Sequence, residues 1–179
     1  LGERAHTTLF MTALAAFDVL LSFYTGMDDL VVGTPIASRG RAELERMIGF
    51  FLNTLVLRAR IPGDATFLDL LAQVRAETLD AYGHQDLPFD MLVEAIRPER
   101  SLSVHPIFQV MFVMQSALPS RGPSPAGEDV FDPNVVPTGM SRFDLTLSLV
   151  EGAGRITGSI EYSTDLFEAR TIRRMGEHY

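Results

Sequence analysis

The segment Gly83-His84-Gln85-Asp86-Leu87-Pro88-Phe89-Asp90 lies between two helical patterns, and its reading decides the fold. On its upstream side, Thr66 to Tyr82 carries Phe67, Leu70, Leu71, Val74 and Leu79 on one helical stripe. On its downstream side, Pro88 suits the first residue of a second helix through Ile96, because its ring fixes φ and it has no N–H to leave unpaired. The same proline pushes Leu87 out of the α region, which separates the two helices. Asp86 is placed as N-cap or N′, with its carboxylate near the free N–H groups of the second helix. Phe89 is expected to bury in the helix–helix junction. His84 is expected to hydrogen-bond a neighbouring backbone group. A catalytic role is disfavoured on physical grounds, since no partner that would orient it as a base is in view.

Outward from this connector the pattern alternates between helix and strand. Residues 5–24 carry Leu9, Ala13, Ala16, Phe17, Leu20 and Leu21 at helical spacing, and Gly26 follows as a stop. Asp28 and Asp29 open a short β-rich run, Leu30 to Gly33, ended by Pro35. Residues 50–61 alternate as a strand, and Ile107 to Gln115 is an apolar strand. Residues 117–128 hold three prolines and two glycines and read as a loop. Phe143 to Leu149 alternates with period two, and Arg155 to Tyr162 answers it across Gly152-Ala153-Gly154 as a hairpin. A last helix runs from Thr164 to Tyr179. The expectation is an α/β fold of the α+β type, with helices packed on a mixed sheet.

Composition removes several functions. The chain has 179 residues, 46% hydrophobic, with a formal net charge of −8. That length and a mean hydropathy of +0.14 predict a globular domain, or a piece of a larger one, with a real core. All 15 basic residues are arginine; lysine, cysteine and tryptophan are absent. No lysine means no Schiff base and no P-loop lysine, and no cysteine means no thiol nucleophile or thiolate metal site. A pI near 4.9 argues against nucleic-acid binding. The apolar stretch Leu9 to Tyr24 is broken by Thr12, Asp18 and Ser22, so no membrane span is expected. No signal peptide opens the chain, and the cytoplasm is the expected compartment. The last helix reaches Tyr179 without a cap, which predicts that the chain is a piece of a longer one.

Motif searches exclude more. His6, His84, His105 and His178 never stand at a spacing that puts two ligands on one helix face. There is no G-x-S-x-G elbow, and no G-x-G-x-x-G follows a strand. The Asp28–Asp29 pair could hold a cation, but a turn is the preferred reading. No metal is expected.

The connector resembles the HQDxPF[ED] motif of condensation domains in nonribosomal peptide synthetases. Other segments match that family in order. Asp28 to Arg39 resembles its strand ending in G-T-P-x-A-x-R, with Gly33 and Thr34 in the motif. Ile48 to Thr54 resembles IGxFVNT, with Gly49, Asn53 and Thr54. Arg100 to Val110 resembles RDxSRNPLFQV, with Arg100, Ser103 and Pro106. Ser141 to Leu145 and Glu161 to Phe167 match later segments.

The resemblance implies one half of a chloramphenicol-acetyltransferase-like pair that faces its twin across a tunnel. All the motifs belong to the C-terminal half, so residues 1–179 are expected to be a C-terminal subdomain. The family's catalytic HHxxxDG belongs to the N-terminal half, and no adjacent histidine pair occurs here. No catalytic residue is therefore expected in this chain, and the piece alone should form no amide. The implied partners are the N-terminal half, donor and acceptor carrier proteins, and neighbouring synthetase domains. No cofactor is expected to bind directly; the 4'-phosphopantetheine arms belong to the carriers. An exposed apolar face could also lead the isolated half to self-associate.

On that resemblance Gly33, Thr34, Gly49, Asn53, Thr54, Arg142 and Asp144 are candidates for the tunnel side. His84, Gln85, Asp86, Pro88, Phe89, Arg100, Ser103 and Pro106 are read as structural motif residues. Asn53 and Thr54 could equally satisfy their own backbone. Gly33 and Gly49 fit close backbone approach, to packing or to a pantetheine arm. Arg142 could pair with Asp144. The region around residues 137–154 resembles the part that reaches across to the other half. Val104 and His105 replace the motif's second arginine and its asparagine. Val113 stands where heterocyclising relatives carry an aspartate, which favours amide formation. Two function classes compete: part of a peptide-bond-forming transferase, or a non-catalytic module that docks carrier or partner proteins.

Overall fold

Thr8 accepts a hydrogen bond from the Met11 N–H at 3.2 Å and so opens helix α1 (Leu9–Thr25), just after a short 3-10 turn at Glu3–Ala5. Gly26 closes α1 in the left-handed region, φ 69°, a conformation that costs glycine nothing. The computed structural model describes residues 1–37, 47–49, 51–97, 105–116, 139–152 and 154–179. Among them lie strands β1 (Asp29–Ala37), β2 (Leu52–Arg60), β3 (Val110–Ser116), β4 (Leu145–Gly152) and β5 (Arg155–Tyr162). The other helices are α2 (Phe67–Gly83), α3 (Phe89–Ile96) and α4 (Ala169–His178).

The strands form one mixed sheet in the order β2-β1-β3-β4-β5. β1 pairs antiparallel with β2 and parallel with β3; β3 and β4 are parallel; β4 and β5 form the expected antiparallel hairpin. β1 runs through Pro35 rather than stopping at it. The β1–β3 pairing covers only Val32 and Gly33 of β1, so beyond them that edge of β1 asks for no ladder N–H. β4 lies inside the sheet between β3 and β5, so of the segment that resembles a reach across, Leu145–Gly152 is sheet.

Period-two alternation sends Leu30 and Val32, Leu57 and Ala59, Phe112, and Leu145, Leu147 and Leu149 to one face, where they form the core with α1, α2 and α4. α2 opens with a capping box: Thr66 Oγ1 accepts from the Asp69 N–H, and the Asp69 carboxylate accepts from the Thr66 N–H. Its buried stripe is Leu70, Leu71, Val74 and Thr78. Leu79, assigned to that stripe from sequence, is 47% exposed, because 3.6-residue spacing from Leu71 and Val74 returns to Thr78. α4 begins at Ala169, later than the Thr164 its pattern suggests, since Ser163 first accepts from the Leu166 and Phe167 N–H groups in a turn. Asp29 is committed to Arg58 at 2.6 Å rather than to a cation, and no cluster of metal-ligating side chains occurs among the described residues.

Candidate functional site

Asn53, near the start of β2, ties the connector to the sheet. Its Nδ2 donates to the carbonyls of Gln85 at 2.8 Å and Leu87 at 2.7 Å. Its Oδ1 accepts from the N–H groups of Thr54 at 2.9 Å and Phe89 at 3.1 Å. Both donors and both acceptor positions of the amide are used. Three of the four bonds join residues 32 to 36 positions away in the chain.

This arrangement solves a local problem. Pro88 occupies the N-cap of α3 and offers no side-chain acceptor. The first free N–H, that of Phe89, is met by Asn53 instead. Asp86, expected at N-cap or N′, falls short of the cap and is exposed. The proline holds the capping position, and Asn53 takes the N–H that the aspartate would have met. His84 is the C-cap of α2; its Nδ1 lies 2.9 Å from the Asp80 carbonyl, and its side chain is 74% exposed. That is the local backbone contact expected of it.

Phe89 packs into an aromatic cluster on the side of the sheet that Gly33 faces. Its ring stacks on His105 at 5.4 Å and 29° and meets Phe108 edge-on at 5.7 Å. His105 and Phe108 are 4.3 Å apart between ring centroids, and Phe143 stacks on Phe108 at 5.3 Å. Phe108 is 1% exposed. A Cβ on Gly33 would lie 2.3 Å from two atoms of the Phe108 ring, so glycine lets that ring lie against the β1 backbone.

Gln109 closes the cluster. Its Nε2 donates to the His105 carbonyl at 3.1 Å, and its own main-chain carbonyl accepts from the Asp144 N–H at 3.0 Å. Asp144 in turn accepts from the Ser163 N–H at 3.0 Å through its carbonyl. Arg142 and Asp144 form no ion pair among the described residues; the bend before β4 carries the Arg142 guanidinium over the Phe143 ring, 6.0 Å from its centroid. Pro106 is exposed in the turn that delivers Phe108.

The remaining candidates separate from this cluster. Thr34 is 3% exposed, and strand alternation turns it to the face opposite Gly33. Thr54 is half-buried beside Pro35. Gly49 is exposed, and a Cβ there would meet the Phe51 ring at 3.0 Å. Arg100 and Ser103 lie outside the described residues, as does the 117–128 loop. Reading the sequence alone passes over Phe108, Gln109 and Phe143 as site residues, although the first two stand inside the Arg100–Val110 motif.

Among the described residues, His105 is the titratable group that lies within the ring cluster. Burial holds it below the ordinary histidine value, and the Arg142 charge acts in the same direction; the Phe108 main chain opposes them without offsetting burial. Its Nδ1 is buried without a hydrogen-bond partner among the described residues. Because the unfolded chain takes up the proton more readily, the fold loses stability as pH falls below the ordinary histidine value of 6.5. The expected result is a fall in cluster stability from about pH 7 to pH 5 that His105→Asn removes, read by hydrogen exchange at Phe108 and Phe112. An unchanged pH profile in His105→Asn contradicts it.

Taken together, the described cluster holds an aromatic wall, a pinned connector and an exposed arginine at its rim. It contains no nucleophile–base pair. Its chemistry is packing and positioning.

Residues 1–179 match the family described as Condensation domain, and the chain belongs to that family. It is 48% identical to a subunit of the linear gramicidin synthase of Brevibacillus parabrevis, over all of this chain and 4% of that protein. It is 46% identical to phosphinothricin tripeptide synthetase of Streptomyces viridochromogenes, over 99% of this chain and 16% of that one. Malpinin synthetase of the fungus Mortierella alpina is also 46% identical, over 97% of this chain and 2% of its own length. Among solved structures, a holo four-domain nonribosomal peptide synthetase bound to AMP and glycine superposes with TM-score 0.81 at 27% identity, covering 95% of this chain and 14% of that one. The X-domain in complex with OxyB from teicoplanin biosynthesis gives TM-score 0.80 at 27% identity, covering 98% of this chain and 39% of that one. The chain thus spans a small part of the curated relatives. No helix among the described residues is long and apolar enough to cross a membrane.

Proposed function

We propose that residues 1–179 are the C-terminal half of a condensation domain in a nonribosomal peptide synthetase, and that they supply one wall of a tunnel in which two thioesters meet. The observation that supports this best is the family match over the whole chain together with the pinned connector, whose residues are those of the family motifs. In the reaction an acceptor amine attacks a donor thioester carbonyl. A C–N bond forms, the C–S bond breaks, the amine loses a proton and the thiol leaves with one. Both thioesters arrive on the phosphopantetheine arms of carrier proteins, which fits a chain without lysine or cysteine. The group that orients or deprotonates the amine is a histidine of an HHxxxDG motif supplied outside residues 1–179. What this half contributes is placement, which can carry much of the rate when two reactants are held in line.

Within that reading Thr54, Gly49, Arg142 and Asp144 remain tunnel-side candidates, each exposed or half-buried. Gly33 and Thr34 are buried and support the wall from behind. Asn53 acts by fixing the connector. Valine at position 113 offers no proton transfer, which supports amide formation over cyclisation. The cytoplasm is the compartment that goes with this reading.

A second reading, a docking module without catalysis, draws support from the X-domain relative seen in complex with OxyB. The two readings separate in one assay. The full polypeptide is mixed with donor and acceptor carrier proteins bearing aminoacyl thioesters, and both binding and dipeptidyl thioester are followed. Amide product sustains the first reading; carrier or partner binding with no product overturns it in favour of the second.

A further inference from the structure

β5 is the last strand of the sheet and pairs on one side only, with β4, among the described residues. The Ser163 N–H donates to the Asp144 carbonyl at 3.0 Å, so alternation turns the main-chain groups of Arg155, Thr157, Ser159 and Glu161 towards β4. Those of Ile156, Gly158 and Ile160 point outward from the sheet, where no described strand meets them.

An open row of N–H and C=O groups is a template for another strand, and natural edges are blunted against it by proline, bulges or charge. β5 has no proline, and its register with β4 runs one-to-one without a bulge. Its charges are Arg155 and Glu161, opposite in sign, exposed, and in no ion pair among the described residues. The other edge strand, β2, differs: its charges, Arg58 and Arg60, are both positive and both reach Asp29.

Antiparallel to itself, Arg155-Ile156-Thr157-Gly158-Ser159-Ile160-Glu161 is self-complementary. A two-fold axis at Gly158 sets Arg155 against Glu161, Ile156 against Ile160 and Thr157 against Ser159. Gly158 then meets Gly158, and Ile156 meets Ile160, as hydrogen-bonded pairs, because these are the residues whose main-chain groups point outward. Arg155 and Glu161 fall at the alternate positions, where facing side chains stand closer. Moving the axis to Ile156 or Ile160 sets neither charge against its opposite within β5. The apolar pair lies on the α4 side of the sheet. Ile160 packs there on the core, and Ile156 is 48% exposed. Both border a groove of about 400 Å³ that Leu149, Gly176 and Tyr179 also line, so an isoleucine from a second copy has an apolar surface to cover.

We propose that β5 is a self-pairing edge, on which a second copy of this chain docks antiparallel about Gly158 and joins two sheets into one. The charge pattern selects the occupant, since each copy supplies the acid for the other's arginine. β2, with the connector that Asn53 holds, stands at the far end of the sheet from this contact.

The test uses the full polypeptide in sedimentation velocity, where a monomer–dimer equilibrium that shifts with concentration is expected. Arg155→Glu should weaken the dimer about tenfold or more, because the change falls on both charge pairs of the two-fold. Adding Glu161→Arg to it should restore the dimer. Both side chains are exposed and unpaired among the described residues, so neither change disturbs the fold. Disulfide trapping reads the register: Thr157→Cys and Ser159→Cys proteins, mixed, should cross-link to each other faster than either does to itself, with the linked peptides identified by mass spectrometry. A polypeptide that stays monomeric up to about 0.1 mM overturns the proposal. So does a dimer that Arg155→Glu leaves unchanged, one that the double reversal fails to restore, or a preference for like-with-like cross-links.

Discussion

Asn53→Ala is expected to release the connector between α2 and α3. The change leaves the Gln85 and Leu87 carbonyls and the Phe89 N–H without their partner, and Pro88 cannot supply a replacement. At about 1 kcal/mol for each net hydrogen bond, and less where water can substitute, the expected loss is roughly 2–3 kcal/mol. The site of the loss is local: the Phe89 amide should lose most of its exchange protection, while amides of β4 keep theirs. Asn53→Asp is the sharper test. Aspartate keeps an acceptor for Phe89 but sets a second oxygen against two carbonyls at 2.7 and 2.8 Å, where donors stood. It should be at least as damaging as alanine. An aspartate variant as stable as wild type would show that the amide donors contribute nothing.

Gly33→Ala should be the costliest single methyl among the described residues. The new Cβ would lie 2.3 Å from Phe108 ring carbons, far inside contact distance. The ring has no free direction: His105 lies 4.3 Å away, Phe143 5.3 Å and Phe89 5.7 Å between centroids. Overpacking of this kind costs about 1–3 kcal/mol, and the upper end applies where neighbours are rings and backbone. Phe108→Leu should cost stability alone yet relieve part of the Gly33→Ala penalty, giving a favourable coupling in a double-mutant cycle. Strictly additive losses, measured by denaturant unfolding, would contradict the direct clash.

The parts of the fold legible in the sequence are those written in local spacing. The apolar stripe of Leu70, Leu71 and Val74 announces α2, and the alternation on either side of Gly152 announces the β4–β5 hairpin. Leu79 misleads because a leucine one position beyond the stripe reads as core until threonine is found buried beside it. The connector misleads differently. Asp86 is a good local capping residue, and nothing within a few residues of it says that an asparagine 36 positions before Phe89 will take the N–H of that residue. The aromatic cluster has the same origin: Phe89, Phe108 and Phe143 come from three segments, and only the sheet brings them together. Gly33 is legible as a place of close approach, but not that an aromatic ring makes the approach. The family resemblance carries what periodicity cannot, because the segments it marks include both Asn53 and the connector that Asn53 holds.

We propose that residues 1–179 position the reactants and leave activation of the amine to a group outside them. Single-turnover amide formation tests it most directly, with residues 1–179 and the full polypeptide each mixed with donor and acceptor carrier proteins bearing aminoacyl thioesters. The expected result is dipeptidyl thioester from the full polypeptide and none above the enzyme-free background from residues 1–179. Product formed by residues 1–179 alone would contradict the account, since it would place the amine-activating group within this half.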